Sequence, residues 1–299
     1  MTMTRTVATI LLLSGTAAYG SYWVSEYEGP AEQYAVVRDN ETIAISQLML
    51  LQSADTINID NPGGRLLLVD ERNEHHVLTA ENTPFDVPES KAPPQLLINV
   101  RNWVASWWNT RGNQSTSTMA AVSKGGLEPE ILVATSGDNF LLSGIRELNL
   151  AWRGGIGPFD LSIVSESGKL LGRRNGISGF SASLPEVALH EGQYKMKVAA
   201  GGAETNITLT AVGRNQLPDT AEAILNLDLP DEIRFGHLAM LLSAYSRWRF
   251  EALLLAHNYN LTQLELDLLS GNFPESDISE TTAMPGLPDS GQQAFPRDD

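Results

Sequence analysis

Between Glu130 and Val212, apolar side chains recur at every second position in separate short runs. Leu148, Leu150 and Trp152 form one run, and Phe159, Leu161 and Ile163 a second. Ala182 and Leu184 continue the pattern, as do Tyr194, Met196 and Val198, then Ile207, Leu209 and Ala211. A period of two is that of a strand with one buried face. The runs are divided by Gly154-Gly155-Ile156-Gly157-Pro158, by Ser165-Glu166-Ser167-Gly168 and by His190-Glu191-Gly192, all of which are turn chemistry. Short strands at this spacing predict a β-sandwich over 129–213. The chain has no cysteine, so no disulfide staples that sandwich.

The flanking segments carry other patterns. From Tyr34 to Val87 the reading is again β. Tyr34–Arg38 is a short apolar run, Asp55–Asp60 alternates, Arg65–Val69 is a buried strand candidate and His76–Ala80 follows. After the Pro93-Pro94 break, Leu96, Leu97, Val100, Trp103, Val104, Trp107 and Trp108 fall on one helical face. The predicted unit is a small β domain plus amphipathic helix over 31–108, followed by a Ser/Thr/Gly/Asn-rich linker over 109–128. Pro218 to Gly271 reads as helical, with Asp231-Glu232 at a helix start, where negative charge suits the dipole. Residues 272–299 hold six carboxylates against Arg297, which predicts a disordered acidic tail.

The N-terminus bears on compartment. Arg5 is the only charge in the first 25 residues, an apolar core runs from Val7 to Leu13, and Ala18-Tyr19-Gly20 has the small-x-small form of a cleavage site. A secretory signal peptide over 1–25 is one expectation. The other is an uncleaved anchor, because Val7 to Val24 is 18 residues without a charge. In that case residues 7–24 contact the membrane, with Tyr22 and Trp23 at its interface. Either way the expected location is extracytoplasmic, in the bacterial periplasm or on the periplasmic face of the inner membrane.

Composition removes several chemistries. With 36 acidic and 20 basic residues the formal charge is −16, which argues against tracking a phosphate backbone, so no nucleic-acid partner is expected. Without cysteine there is no thiolate metal site and no Cys nucleophile. The histidines are His75, His76, His190, His237 and His257, and no His-Glu-x-x-His motif joins any two. His75 and His76 on a strand point to opposite faces. His237 and His257 fall on different expected helices without a carboxylate motif. No nucleophile elbow or P-loop occurs. Asp55, Asn58 and Asp60 offer oxygen ligands for calcium but match no EF-hand loop. No catalytic residue, metal or cofactor is therefore assigned.

Two segments resemble known families. Ser53–Asp60, Gly64–Val69, Val77–Ala80 and Phe85–Val87 together resemble FecR-like periplasmic β domains over about 34–88. The turn at Asp70-Glu71-Arg72-Asn73 lacks the glycine of that pattern, and only six residues precede the apolar segment, so sigma-factor regulation is not implied. Trp152–Phe159 and Leu189–Met196 resemble bacterial Ig-like and fibronectin-type sandwiches. Leu238–Leu255 is similar to one tetratricopeptide-type hairpin, with no repeat after it.

The fold expected is mainly β with α. A small N-terminal all-β domain, an Ig-like sandwich and a C-terminal helical hairpin over 218–271 follow a signal or anchor helix. The function expected is that of a non-enzymatic envelope adaptor or scaffold with a protein partner. The alternatives are a cell-wall or glycan-binding module and, more distantly, an acid-pair hydrolase. Tryptophan favours contact surfaces because its ring is apolar while its N–H can stay wet. Trp103, Trp107, Trp108 and Trp248 are the partner-binding candidates.

Overall fold

The computed structural model of the chain describes residues 21–89, 94–100, 102, 128–134 and 137–271. Trp103, Trp107, Trp108, most of the expected linker and the expected tail lie outside the described residues. The architecture is mainly β, with helices packed between two sandwiches.

The N-terminal sandwich has two antiparallel four-stranded sheets. The first is ordered β4 (Leu50–Leu51), β1 (Tyr22–Tyr27), β6 (Arg65–Asp70), β7 (His75–Thr79). The second is ordered β3 (Glu41–Ala44), β2 (Tyr34–Arg38), β5 (Thr56–Ile59), β8 (Phe85–Asp86). Tyr22, Val24, Leu66 and Leu68 meet Tyr34, Val36, Ile57 and Ile59 in the core between them. Tyr34 fastens the open end, its hydroxyl donating to Glu28 O at 2.5 Å and accepting from Arg65 N at 3.1 Å. Asp55 is buried beneath Arg38, with N···O distances of 2.8 and 2.6 Å.

β1 corrects the reading of the leader. Tyr22, Trp23, Val24 and Ser25 are all buried because their sheet is covered on both faces. Tyr22 and Val24 enter the sandwich core, while Trp23 joins the core built with the helices. Tyr22 and Trp23 are therefore not membrane-interface residues. The β domain begins at Tyr22, ahead of the expected start at residue 31. Among the described residues no helix is long and apolar enough to cross a membrane.

The second sandwich carries a five-stranded sheet ordered β12 (Leu170–Ile177), β11 (Phe159–Ser165), β14 (Gly192–Ala200), β15 (Ala203–Val212), β9 (Asn139–Leu142). Facing it is the pair β10 (Gly144–Ala151) and β13 (Ser181–Leu189). All pairings are antiparallel except β15 with β9, which run parallel. This strand order is Ig-like. The Tyr194 hydroxyl donates to His190 O at 2.8 Å, which is the tyrosine corner found where such a sandwich turns into its penultimate strand. Two residues on, buried Met196 stands where an antibody-type domain has its second cysteine.

The remaining helices form a layer against both sandwiches. Residues 95–100 begin α1, and Leu97 and Val100 enter the larger core. α2 (Asp219–Leu225), α3 (Asp231–Ser243), α4 (Arg249–Asn258) and α5 (Thr262–Leu269) follow. α4 is buried on every side from Arg249 to Ala256, including the charged Arg249 and Glu251. The α3–α4 hairpin is thus interior structure and offers no broad docking face. On one side Gly236 of α3 packs against Leu48, and Ser25 Oγ donates to Glu232. Gln47 joins the same seam, donating to Ser25 O at 2.8 Å and to Asn260 O at 2.7 Å. On the other side, buried Glu251 of α4 accepts from Arg146 at 2.7 and 2.8 Å and from Leu142 N at 3.0 Å.

Candidate functional site

The pairing register of the second sandwich gathers three loops at one end. Ala151 pairs with Ser181, Phe159 with Ile177 and Ala200, and Ala200 with Ala203. The loops 152–158, 178–180 and 201–202 therefore emerge together. Glycine is required in the first of them. Gly155 has φ +76°, and a Cβ there would lie 2.9 Å from the Phe159 ring. Close packing beneath the loops leaves their apolar tips no room inside. Ile156 is 68% exposed and Phe180 54% exposed. Phe180 rests on Phe159 with ring centroids 5.5 Å apart, and Phe159 rests in turn on Trp152 at 5.3 Å. The loop end thus carries two exposed apolar side chains, of which Phe180 stands on an aromatic column rooted in the core.

Three ion pairs lie near this tip, and exposed Arg174 stands among them on β12. Arg153 donates to Glu130 at 2.7 Å and Arg173 lies 3.6 Å from Asp160, all four being surface groups. Lys197 meets Glu204 at 3.2 Å. Hydrogen bonds from Asn206 and Lys197, with the charge of Lys197, hold the Glu204 carboxyl below its ordinary value.

The structure places the sequence candidates as follows. Trp248 is fully buried, with its ring edge-on to Phe140 at 5.3 Å, so it is core and is withdrawn as a partner-binding residue. Trp23 and Trp152 are also buried. Trp103, Trp107 and Trp108 lie outside the described residues. Asp55 is spent on Arg38 and on the Gln52 N–H at 2.7 Å, which removes it from any calcium set. Glu128 and Glu130 line a shallow depression with Pro129, Ile131, Ala134, Thr205 and Ile207. Glu130 is more than half exposed and tied to Arg153, without the burial that turns a carboxyl into a general acid.

Histidine chemistry is richer than the sequence suggests. His257 Nδ1 lies 2.8 Å from Glu265 Oε1 across the α4–α5 turn, a contact that spacing alone does not reveal. At the β6–β7 turn, Asp70, Glu74 and His76 each bring one ligand atom within 4.8 Å of the others. Asp70 Oδ1 accepts from Arg72 N and Glu74 N, both at 2.9 Å, while Oδ2 lies 3.2 Å from His76 Nε2. Burial alone would raise the Asp70 carboxyl. Hydrogen bonds from Glu74 N–H, His76 and Arg72 N–H outweigh it and hold that carboxyl below its ordinary value. The Tyr22 hydroxyl is raised by burial and by the negative charges of Asp70 and Glu74. The sequence signal was the alternation Asp-x-x-x-Glu-x-His across a turn, which is legible only once the hairpin is known.

No protein-family model matches the chain, and no curated protein matches it. Among solved structures, the chain is similar to the Ig1 domain of mouse SynCAM 2, at 17% identity and a TM-score of 0.20. That likeness covers 29% of this chain and 98% of that one. It is also similar to the BSP domain of a biofilm associated protein, at 12% identity and a TM-score of 0.25, over 55% of this chain and 28% of that one. At such TM-scores the Ig-like assignment rests on the strand order and on the Tyr194 corner.

Proposed function

We propose that this chain is a non-enzymatic interaction module of the cell envelope, and that it holds a protein partner at the loop end of its Ig-like sandwich. The observation that carries this reading is the exposure of Ile156 and Phe180 on loops at the same end of the sandwich, with Phe180 braced by Phe159 and Trp152. Exposed apolar groups on a rigid base lose little entropy when a partner covers them. Such anchors dominate interface energetics.

Export is part of the same reading. Arg5, the apolar core from Val7 and the Ala18-Tyr19-Gly20 site support a signal peptide cleaved before Ser21. Cleavage there leaves β1 whole. A retained anchor reaching Val24 would pull Tyr22, Trp23 and Val24 out of two cores. Taking those residues away leaves too short a stretch after Val7 for a span of about 20 residues. The glycan-binding alternative loses Trp248 as a platform and rests on Trp103, Trp107 and Trp108.

The test is in-cell photo-crosslinking from position 156, with position 145 as control. Ile145 is more exposed still but sits at the opposite end of the sandwich. The proposal expects one protein species crosslinked from 156, none from 145, and loss of the 156 product in Phe180→Asp. Equal products from both positions would overturn it. Recovery with the wall fraction and no protein product would favour the glycan reading.

A further inference from the structure

We infer that the β6–β7 turn is a binding site for a divalent transition-metal ion of the zinc class, with Asp70, Glu74 and His76 as its protein ligands. The inference is independent of the adaptor reading, because this turn belongs to the other sandwich.

The donor set is two carboxylate oxygens and one imidazole nitrogen. Zinc accepts such ligands at about 2.0–2.2 Å, which places neighbouring ligand atoms of a tetrahedral ion about 3.3 Å apart. Asp70 Oδ2 and His76 Nε2 are 3.2 Å apart, at that spacing already. Their shared direction is fixed by the fold. Asp70 is the buried last residue of β6, and His76 is on β7, held by the pairing of Leu68 with His76. The Tyr22 ring stands edge-on to the imidazole at 5.2 Å and limits its rotation.

Asp70 is also oriented from behind. Its Oδ1 is occupied by the Arg72 and Glu74 amides, so Oδ2 alone faces His76. An outer shell that orients a ligand in this way is the usual support of a metal site. Glu74 sits on the same turn, exposed, with its carboxylate inside the 4.8 Å cluster, and needs only a side-chain rotation to close on the ion. A site with three protein ligands leaves a coordination position for water or for a group from a partner. The imidazole disfavours magnesium and calcium, which prefer all-oxygen shells. His75 takes no part, since adjacent strand residues point to opposite faces.

The experiment is calorimetric titration of the tag-free full chain with zinc chloride at pH 7.5, with cobalt as a spectroscopic stand-in. The expected result is one ion per chain, a rise in Tm with zinc, and cobalt absorption typical of low coordination number. His76→Gln should abolish binding, and Glu74→Gln should weaken it by roughly tenfold or more. His75→Gln and His257→Gln should leave binding unchanged. Each variant's Tm without zinc shows whether it still folds. The inference is overturned if the chain takes up no zinc at millimolar concentration, or if uptake survives His76→Gln in a folded protein.

Discussion

The two sandwiches solve the same burial problem in opposite ways. The N-terminal one has four strands on each face and encloses a core of its own, from Tyr22 to Val87. The Ig-like one sets five strands against two, and its core runs on without a break into α2, α3 and α4. Two strands cannot cover five, so part of the larger sheet is finished by helix. Phe140 and Leu142 of β9 meet Trp248 and Glu251, and Arg146 of β10 reaches the same carboxylate. The N-terminal sandwich closes one core by itself and lends only Trp23, Leu48 and Val69 to the helical core, whereas the Ig-like one shares its whole core with the helices.

The buried ion pairs sharpen this contrast. Arg38–Asp55 lies within one sandwich, and Arg146–Glu251 joins a sandwich to a helix. Removing Glu251 leaves the Leu142 amide without its partner and leaves Arg146 only Leu142 O as acceptor. Breaking a buried pair from one side costs about 3–5 kcal/mol. Glu251→Ala should therefore lose that much in denaturant unfolding, and a loss below about 1 kcal/mol would show that the helix is not fastened there. Arg38→Ala should cost less, about 2 kcal/mol, because Asp55 keeps the Gln52 amide and water can reach the vacated edge. If the two losses came out in reverse order, the comparison would fail.

Smaller effects probe the seams. A Cβ on Gly236 would lie 2.7 Å from a Leu48 methyl, where α3 touches the N-terminal sandwich. Gly236→Ala gains about 1 kcal/mol of helix propensity and loses about 1–3 kcal/mol to overpacking. The expected net is a small destabilisation that Leu48→Ala partly relieves, read as a double-mutant cycle. Additivity of the two substitutions would mean that the seam is loose. Tyr194→Phe removes one hydrogen bond and should cost about 1 kcal/mol in the Ig-like unit, with an unchanged m-value.

What the sequence disclosed follows the same division. β10, β11, β14 and β15 were legible because each buries one face and shows the other to water or to a polar edge, which preserves the period of two. β12 was not, since Leu170–Ile177 is an edge strand with almost nothing buried. β1 was misread for the opposite reason. Buried on both faces, Tyr22-Trp23-Val24-Ser25 has no alternation and reads as the end of the apolar leader. Trp248 reads as a surface anchor because it stands between Arg247 and Arg249, in a short 3-10 turn before α4, and polar neighbours give no sign that the turn is buried. The loop end was visible only as glycine spacing, and the Asp70–Glu74–His76 cluster only as separated letters. Both depend on pairing register, which a single sequence does not state.

The central claim is that the helical layer belongs to the Ig-like core. Native-state hydrogen exchange on the full chain tests it most directly. The amides of β9, β10 and α4 should share one opening free energy, distinct from that of β2 and β5. Glu251→Ala should lower the first set together while leaving the second in place. Loss of protection in α4 alone, with β9 and β10 still protected at the original level, would contradict it.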